Sequence, residues 1–307
     1  MNFKKNILIV GGTGFIGYHL ASRSLKKGWQ VVSISTKKPI NSRKLPKVEY
    51  ILCDITKKKL LKKKIQKSFT YVVNLGGYVD HSNKIKTYKS HYIGCKNLTE
   101  IFLKKKPTAF IQMGSSVEYG KIKSPQKENA KCSIKSIKSI YGKAKLLSSI
   151  YLINLFKKKK FPSTILRLYL TYGPRQDINR FIPIIIEGCI KNKKFDCSEG
   201  NQFRDFVHVD DVVDAILKSL TNKNARGKII NVGSGKPRKI RNIIEHIKKI
   251  SKGGYPQFGK IKLRKDEILK LYPNIKKAKN IINWKPKISF DKGLKSTIKF
   301  YNEHTTL

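Results

Sequence analysis

Short apolar runs alternate with longer amphipathic segments along the first half of the chain. The runs of about five apolar residues predict strands, and the segments between them carry apolar residues at helical spacing. The predicted strands are 6–10, 30–34, 49–52, 71–74, 108–113 and 163–169. The predicted helices between them are 15–27, 57–66, 88–105 and 137–159. Strands that alternate with helices of this length indicate βαβ units, and therefore an α/β fold built on a doubly wound parallel sheet.

The pattern loosens into shorter elements after Pro174. Further helices are predicted near 181–192, 209–221, 238–251 and 290–303. No repeat period and no low-complexity linker separates two independent units. We therefore expect the sheet domain in residues 1–173 and a smaller C-terminal α/β lobe in residues 174–307, with the chain interleaving between the two.

Composition narrows the class of protein. The chain has 307 residues, of which 39% are hydrophobic, which is enough for a sizeable core. No apolar stretch approaches the roughly 18 to 20 residues that span a bilayer, and the N-terminal run NILIV lacks the features of a signal peptide. The five cysteines are dispersed, without a CxxC pair or a histidine at ligand spacing. We expect a soluble cytoplasmic protein with reduced thiols and no metal site.

The net charge of +48 comes from 67 Lys and Arg residues against 19 Asp and Glu residues. A charge of this size suits a nucleic-acid binder on electrostatic grounds alone. However, the lysines are spread along the whole chain, and their excess accompanies that of other residues with AT-rich codons. We interpret most of them as a solvated surface and predict no specific nucleic-acid partner, although a positive surface would still attract anionic substrates.

A glycine-rich stretch, GGTGFIG (11–17), lies between the first predicted strand and the first predicted helix. Gly11 permits a tight turn, Gly14 lets backbone N–H groups approach a pyrophosphate, and Gly17 lets the helix pack closely on the strand. The pyrophosphate would lie at the helix N-terminus, beside Phe15 and Ile16. A structural loop is the alternative. The position between strand and helix favours a dinucleotide and a Rossmann-type fold.

The end of the second predicted strand, VVSISTKK, bears on which dinucleotide is bound. A carboxylate about 20 residues beyond the glycines would accept a hydrogen bond from the ribose 2′-hydroxyl of NAD. Ser35, Thr36 and Lys37 stand there instead. They suit a 2′-phosphate better, so NADP(H) is favoured over NAD(H), with an incidental origin of the lysines as the alternative.

Residues that follow the third and fourth strands are further candidates for contacts with the cofactor. Asp54 is placed to reach the adenine amino group, and a turn or helix-capping role is equally compatible with its position. Ile55 and Leu75 complete the set of predicted cofactor-binding residues.

Two motifs supply candidate catalytic residues. MGSSVEYG (113–120) closes a predicted strand, and SIYGKAK (139–145) opens a predicted helix. Tyr141 and Lys145 are four residues apart, so they share one face of that helix. A tyrosine has a pKa near 10, which a neighbouring ammonium lowers, and a serine hydroxyl orients the group that exchanges a proton with it. We predict a catalytic triad of Ser115, Tyr141 and Lys145.

These motifs resemble those of the extended short-chain dehydrogenase/reductases, in the NAD(P)-dependent epimerase/dehydratase branch that acts on nucleotide sugars. GGTGFIG matches the cofactor loop, and Ser115, four residues before Tyr119, matches the catalytic serine better than Ser116 does. RLYLTYGPRQ (167–176) is similar to the segment beside the nicotinamide. The resemblance implies that Tyr141 and Lys145 also contact the cofactor.

The resemblance extends to the C-terminal part. FRDFVHVDDVVDAI (203–216) is similar to a signature in which the arginine, here Arg204, contacts the substrate nucleotide. Arg264 falls where the family often has a diphosphate-binding arginine, and Asn179 and Arg180 lie within reach of a nucleotide, with helix capping as the alternative for Asn179. The resemblance also implies a homodimer, through the helices 88–105 and 137–159, and a place in cell-surface polysaccharide biosynthesis.

Other polar residues in these segments are interpreted as structural. We expect Asp205 to serve the fold, and Asp210 and Asp211 to act as the N-cap and as dipole partners of the helix they open. For His81, His91 and His208 we expect packing or solvent contacts rather than metal binding.

Departures from the family pattern narrow the reaction. The 4,6-dehydratases carry an acid pair directly after the catalytic Ser or Thr, whereas Glu118 comes one place too late, so dehydration is disfavoured. Leu170 and His91 replace asparagines of the family, which affects the substrate pocket but not hydride transfer.

Two enzymatic functions remain open, and a third function is disfavoured. Reduction of a 4-keto nucleotide sugar, with Tyr141 as the proton donor, is preferred because the cofactor site favours NADP(H). An NAD-dependent 4-epimerase, which oxidises a sugar C4 hydroxyl and returns the hydride to the other face, is the alternative. A dinucleotide-sensing binding protein has no need of Ser115, Tyr141 and Lys145 together.

Overall fold

The computed structural model describes residues 5–78, 80, 82–263 and 267–304, which form an α/β fold. In chain order the strands are β1 (Asn6–Val10), β2 (Gln30–Ser35), β3 (Val48–Leu52), β4 (Tyr71–Asn74), β5 (Ala109–Ser115), β6 (Ser163–Leu168), β7 (Leu170–Tyr172), β8 (Lys194–Asp196), β9 (Phe203–Arg204), β10 (Phe206–His208), β11 (Ile229–Val232), β12 (Arg238–Lys239), β13 (Tyr255–Gln257) and β14 (Lys270–Leu271). The α-helices are α1 (Phe15–Lys26), α2 (Lys58–Lys64), α3 (Lys84–Tyr88), α4 (Gly94–Lys104), α5 (Ile140–Lys159), α6 (Phe181–Ile190), α7 (Val209–Thr221), α8 (Ile240–Ser251), α9 (Lys276–Ile282) and α10 (Phe290–His304).

Seven parallel strands form the main sheet, in the order β11-β6-β5-β4-β1-β2-β3. From β1 the chain runs outward through β2 to β3, and it then returns to place β4 on the other side of β1. The carboxyl ends of β1 and β4 thus flank a topological switch point, which is where open α/β sheets bind their ligands. The predicted doubly wound, Rossmann-type parallel sheet is confirmed.

Both faces of the sheet are buried, which explains why its strands are continuous apolar runs. On β1, Ile7 and Ile9 belong to one core cluster, together with Leu20 of α1 and Val212 of α7. Leu8 and Val10 belong to the cluster on the opposite face, whose members also come from α2, α4 and α5. Each face of the sheet is therefore closed by helices that return the chain to the amino-terminal edge of the strands.

Part of the main sheet comes from late in the chain, from a strand that the pattern of apolar residues did not predict. β11 (Ile229–Val232) pairs with β6, and α7 covers the face of the sheet that also holds α1. The side chain of Trp284 is wholly buried in the same cluster and donates its Nε1–H to the backbone oxygen of Asp211 at 3.0 Å. The chain therefore crosses back into the sheet region after residue 173.

The C-terminal region has its own apolar cluster, formed mainly by α6, α8 and α10. Short strands accompany it: β10 pairs with β7, β9 lies between β12 and β14, and β13 pairs with β8. The predicted helix over 88–105 is divided, because α3 and α4 are joined by a π-helical turn at Lys89–Ile93.

The part of the chain that the structure describes contains neither a helix that could span a membrane nor a group of side chains that could hold a metal ion. None of its helices combines the length and the apolar character that crossing a bilayer requires. No group of three or more His, Cys, Asp or Glu side chains among these residues is arranged to hold a metal ion. The five cysteines carry free thiols, and all except Cys132 are buried.

Candidate active site

The glycine-rich stretch forms a tight cradle between β1 and α1. Gly11 has a φ of +78° and donates its N–H to the Ile34 oxygen at 2.7 Å. A Cβ at Gly17 would lie 2.3 Å from the Gly11 oxygen, and one at Gly12 would lie 2.4 Å from Ser33 Oγ. Gly14, at the N-cap of α1, is more open, because a Cβ there would meet only the Gly11 oxygen, at 3.3 Å. A cradle without side chains beside a helix N-terminus fits the pyrophosphate of a dinucleotide.

The remaining predicted cofactor residues lie along the same edge of the sheet, at the carboxyl ends of β1 to β4. Phe15 and Ile16 form the first turn of α1 and are half-buried. At the end of β2, Ser35 Oγ accepts the Thr13 N–H at 3.4 Å, while Thr36 and Lys37 are exposed.

Three further predicted cofactor-binding residues, Asp54, Ile55 and Leu75, follow β3 and β4. Asp54 Oδ1 accepts the Thr56 N–H at 2.8 Å. One of its carboxylate oxygens therefore stabilises a turn, which is the alternative role predicted for this residue from the sequence. Ile55 is buried, and Leu75 donates its N–H to the Val10 oxygen at 2.9 Å.

The three predicted catalytic residues come together at the carboxyl end of β5. Ser115 ends that strand, and Tyr141 lies in the first turn of α5, where Ser139 Oγ accepts the Gly142 N–H at 3.1 Å and caps the helix. The Ser115 hydroxyl is hydrogen-bonded to Tyr141. Lys145 is buried, and its Nζ donates to the Met113 oxygen at 2.6 Å and lies 5.8 Å from the centre of the Tyr141 ring.

The structure corrects one expectation about this triad. Burial raises the pKa of Tyr141, the Ser115 hydroxyl and the charge of Arg180 oppose that rise, and the charge of Glu118 adds to it. Burial lowers the pKa of Lys145 to about 8, and the charge of Glu118 opposes this change. The expected lowering of the tyrosine pKa by the lysine is therefore outweighed by desolvation of the phenol.

His91 contacts Tyr141, the predicted catalytic tyrosine, directly. Its ring packs edge-on against Tyr141, with the ring centres 4.9 Å apart, and its Nε2 lies 3.3 Å from the Tyr78 oxygen. A Cβ at Gly77 would lie 1.9 Å from His91 Cε1, so a glycine is required where the loop crosses this ring. The π-helical turn at Lys89–Ile93 carries His91, and such turns are frequent at functional sites. His91 thus has a packing role, as expected, and the ring against which it packs is that of Tyr141 in the triad.

The predicted substrate residues have different surroundings. Arg180 is close enough to Tyr141 for its charge to lower the pKa of the phenol, whereas Asn179 is exposed. The N-cap of α6 is Arg180, so the capping alternative for Asn179 is wrong. Arg204 donates to the Phe203 oxygen at 2.9 Å and forms an ion pair with Glu267, a partner that no sequence motif indicated. Arg264 and His81 lie outside the described residues.

The acidic residues of the 203–216 segment serve the fold. Both oxygens of Asp211 accept backbone N–H groups, from Lys287 at 2.9 Å and from Ile288 at 3.0 Å. The expected capping by Asp210 and Asp211 is wrong in one respect. The N-cap of α7 is His208, whose Nδ1 accepts the Asp210 N–H at 3.3 Å, and the two aspartates occupy the first turn.

Asp205 gives the folded state a pH dependence that can be measured. Burial raises its pKa to about 6, although the backbone and hydroxyl of Ser234 donate to it at 2.7 and 2.8 Å. Because the pKa of Asp205 is higher in the folded state than in the unfolded state, the free energy of unfolding falls as the pH rises from the ordinary pKa of an aspartate to about 6. We expect the free energy of unfolding of the wild type to drop by about 2 kcal/mol more between pH 4 and pH 6 than that of Asp205→Asn, in urea titrations. Parallel curves for the two proteins would contradict this assignment.

Glu118 is enclosed by hydrogen bonds from the protein. Its side chain is wholly buried and forms an ion pair with Arg167, and both of its carboxylate oxygens accept hydrogen bonds from protein groups. A carboxylate so occupied is not placed to take a proton from a substrate.

Comparisons with known proteins identify the family of this chain. Residues 7–233 match the model of the NAD dependent epimerase/dehydratase family. The chain is 30% identical to the "Putative UDP-glucose 4-epimerase" of Methanocaldococcus jannaschii, over 96% of this chain and 97% of that protein. It is 26% identical to CDP-abequose synthase of Salmonella muenchen, over 97% and 98% of the two chains.

A solved structure gives the same result for the fold. The crystal structure of UDP-glucose 4-epimerase from Thermotoga maritima, determined with UDP-glucose, superposes with a TM-score of 0.89 at 24% identity, over 98% of this chain and 99% of that one. Because the family model covers most of the chain and the first relative covers nearly all of it, the chain belongs to the NAD dependent epimerase/dehydratase family, as an enzyme that uses a nicotinamide dinucleotide and acts on nucleotide sugars.

Proposed function

We propose that this enzyme reduces a 4-keto nucleotide sugar to the corresponding alcohol with NADPH. The observation that carries the choice is the end of β2, where Thr36, Lys37 and Lys38 are exposed and the segment STKKP contains no acid. A ribose 2′-hydroxyl would find no carboxylate acceptor in that segment, whereas a 2′-phosphate would meet hydroxyl and ammonium donors.

The triad would supply the proton for this reduction. When bound, the dinucleotide supplies the hydride that the sugar C4 accepts. The Tyr141 hydroxyl donates its proton to the C4 oxygen, and burial of the phenol keeps that proton in place until it is needed. The Ser115 hydroxyl, which is hydrogen-bonded to Tyr141, donates to the same oxygen and orients it.

Lys145 would then stabilise the phenolate that remains on Tyr141. Its ammonium is fixed by the Met113 oxygen at 2.6 Å, so the charge stays near the ring instead of reaching solvent. With a pKa of about 8, the Lys145 amine also exchanges protons readily near neutral pH, which returns the phenol to its protonated form after each turnover.

Arginines of the C-terminal region are the proposed ligands of the substrate nucleotide. Arg180 stands close to the triad, Arg204 lies on β9, and Arg264 is proposed from its motif alone, with Asn179 as a neutral hydrogen-bonding partner. Arginine suits this task because its planar fork binds phosphate oxygens in pairs.

We also propose that the enzyme is a homodimer formed through α4 and α5. Ile150, on α5, is 42% exposed in the isolated chain, although this helix otherwise packs on the sheet. Covering such apolar side chains against a second copy is the usual way in which a helix pair forms a symmetric interface.

The second candidate function is an NAD-dependent 4-epimerase, which the relative from Methanocaldococcus jannaschii favours by its name. The same triad serves it, with Tyr141 first accepting and then returning a proton. The two functions differ in the fate of the cofactor, because an epimerase regenerates its dinucleotide in each turnover and need not release it.

Cofactor content and affinity distinguish the two functions. We expect the purified enzyme to lose its dinucleotide on dialysis and to bind NADPH at least about tenfold more tightly than NADH, as measured by nicotinamide fluorescence, because each added ammonium contact favours a phosphate. A double variant, Lys37→Ala with Lys38→Ala, should lose this preference by weakening only NADPH.

The matched control removes the same charge at the other edge of the sheet. Lys26 and Lys27, at the end of α1, are exposed like Lys37 and Lys38, and replacing both by alanine should leave the preference intact. NAD that co-purifies and resists dialysis would instead establish the epimerase.

A further inference from the structure

Glu118 is one of 19 acidic residues in the chain, and its carboxylate joins three elements of the sheet domain. Its Oε1 accepts the backbone N–H of Ser115 at 2.8 Å. Its Oε2 accepts Nε–H of Arg167 at 2.9 Å and the hydroxyl of Ser149 at 2.7 Å. One buried group thereby connects the end of β5 to β6 and to α5.

The contact with α5 falls on the catalytic face of that helix. Tyr141, Lys145 and Ser149 are spaced by four residues, so all three lie on one face, one turn apart. Glu118 therefore holds both halves of the triad: the strand end that bears Ser115, and the helix face that bears Tyr141 and Lys145.

The surrounding chain makes room for this carboxylate. A Cβ at Gly114 would lie 2.5 Å from Glu118 Oε1, so the strand needs a glycine directly before Ser115. The Ser115 side chain in turn accepts the Val117 N–H. Ser115 and Glu118 together form a capping box at the start of the short 3₁₀ turn Ser116–Tyr119. The backbone that orients the catalytic serine is thus built around Glu118.

Stability alone is a weak explanation for this arrangement. Arg167 is 2% exposed, and its guanidinium carbon lies 4.4 Å from the centre of the Tyr119 ring. A buried ion pair of this kind is in general no more stabilising than well-packed apolar residues of similar volume. An acid at position 118 is better explained by what its charge and its hydrogen bonds do for the neighbouring triad.

The charge of Glu118 reaches both titrating members of the triad. It raises the pKa of Tyr141, in the same direction as burial, and it opposes the lowering of the pKa of Lys145. The groups that face Tyr141 are Ser115 from β5, His91 from the π-helical turn, Lys145 from α5, Arg180 from the start of α6, and Glu118 itself.

We propose that Glu118 is a positioning residue for the reaction, which fixes the Ser115 hydroxyl against Tyr141 and supplies the negative charge beside the triad. This inference rests on the proposed function only in taking Ser115 and Tyr141 as the reacting pair. The role is distinct from that of a dehydratase acid, because the carboxylate acts through the triad and does not contact the substrate.

Two variants test the proposal kinetically. Glu118→Gln keeps the size of the side chain and removes its charge, and we expect kcat to fall 10- to 100-fold, with KM and the Kd for the dinucleotide changed less than about threefold. The basic limb of the pH profile of kcat should move to lower pH, because the charge that raised the pKa of Tyr141 is lost.

Ser149→Ala keeps the ion pair of Glu118 with Arg167 and removes only the link to α5, so it carries the test if Glu118→Gln does not fold. We expect kcat to fall about three- to tenfold. The matched control is Ser219→Ala, on α7, whose buried hydroxyl donates only to the Ala215 oxygen at 2.7 Å among the contacts described. Equal kcat values for Ser149→Ala and Ser219→Ala would overturn the proposal.

A measurement without substrate separates this inference from the proposed function. In protein labelled with ¹³C at tyrosine Cζ, the Tyr141 resonance is assigned by its absence from Tyr141→Phe, and its shift reports the phenol's protonation and its hydrogen bond to Ser115. We expect Glu118→Gln to move that resonance and to lower the pH at which it titrates. An unmoved resonance and an unchanged titration would contradict the role of Glu118, whereas a wild type that reduces no 4-keto nucleotide sugar would contradict only the proposed reductase.

Discussion

Tyr141→Phe is expected to lower turnover by about three orders of magnitude or more, while leaving the affinity for the dinucleotide within a few-fold of the wild type. General acid catalysis contributes on this scale, and a phenylalanine removes the only proton that the Tyr141 side chain can donate. The ring itself, which packs against His91 and lies near Lys145, is retained. Steady-state kinetics and a fluorescence titration with NADPH measure the two quantities separately.

A second tyrosine on the same helix provides the control. The Tyr151 hydroxyl lies 3.0 Å from Thr99 Oγ1, far along α5 from the triad, so Tyr151→Phe removes a comparable hydrogen bond without touching the reacting groups. Its kcat should stay within about twofold of the wild type, because a hydroxyl outside the reaction adds nothing to transition-state binding. Full activity in Tyr141→Phe would refute the assigned mechanism.

Gly17→Ala should destabilise the fold and abolish binding of the dinucleotide together. The added Cβ would lie 2.3 Å from the Gly11 oxygen and 2.6 Å from Gly12 Cα, and both atoms belong to the backbone of the cradle. Relieving such contacts requires α1 to move away from β1, which costs about 1–3 kcal/mol or more in a well-packed core. Thermal unfolding and an NADPH titration on the same preparation measure both effects.

Gly14→Ala separates binding from stability in the same loop. A Cβ at Gly14 would be 3.3 Å from the Gly11 oxygen, and the φ of −80° there is accessible to any residue. This variant should therefore keep nearly the stability of the wild type and still lose affinity for the dinucleotide, because the methyl group occupies the space that the pyrophosphate approaches. Wild-type affinity in either variant would show that the cradle does not hold the cofactor.

Much of the fold could be predicted because its signals are local. The spacing of apolar residues predicted β1 to β6 and the helices between them, and the glycines predicted the turn that follows β1. β11 is no shorter than β4, but it was not predicted, because it lies after Pro174, where apolar runs no longer alternate regularly with helices. Its place beside β6 is decided by tertiary pairing alone.

The candidate site likewise has features that local sequence patterns predict and others that depend on contacts between distant parts of the chain. Ser115, Tyr141 and Lys145 could be predicted as a triad because their spacing places them on a strand end and on one helix face, and the structure brings the three side chains together. The raised pKa of Tyr141, the contact of His91 with its ring, and the three partners of Glu118 depend on residues from other elements, so no local pattern could indicate them. What the sequence lacks in these cases is the degree of burial, which sets the sign of the pKa shifts.

The return of the chain into the sheet has a consequence for protein engineering. β11 completes the edge of the sheet and α7 covers one face of it, although both come after all three residues of the predicted triad in the chain. A fragment that ends at residue 173 would leave the edge of β6 without its hydrogen-bonding partner and would expose apolar side chains beneath α7 to water. The cofactor-binding half is therefore not a detachable module. Chimaeras that exchange substrate specificity between relatives must graft several discontinuous segments, because no single junction divides the two functions.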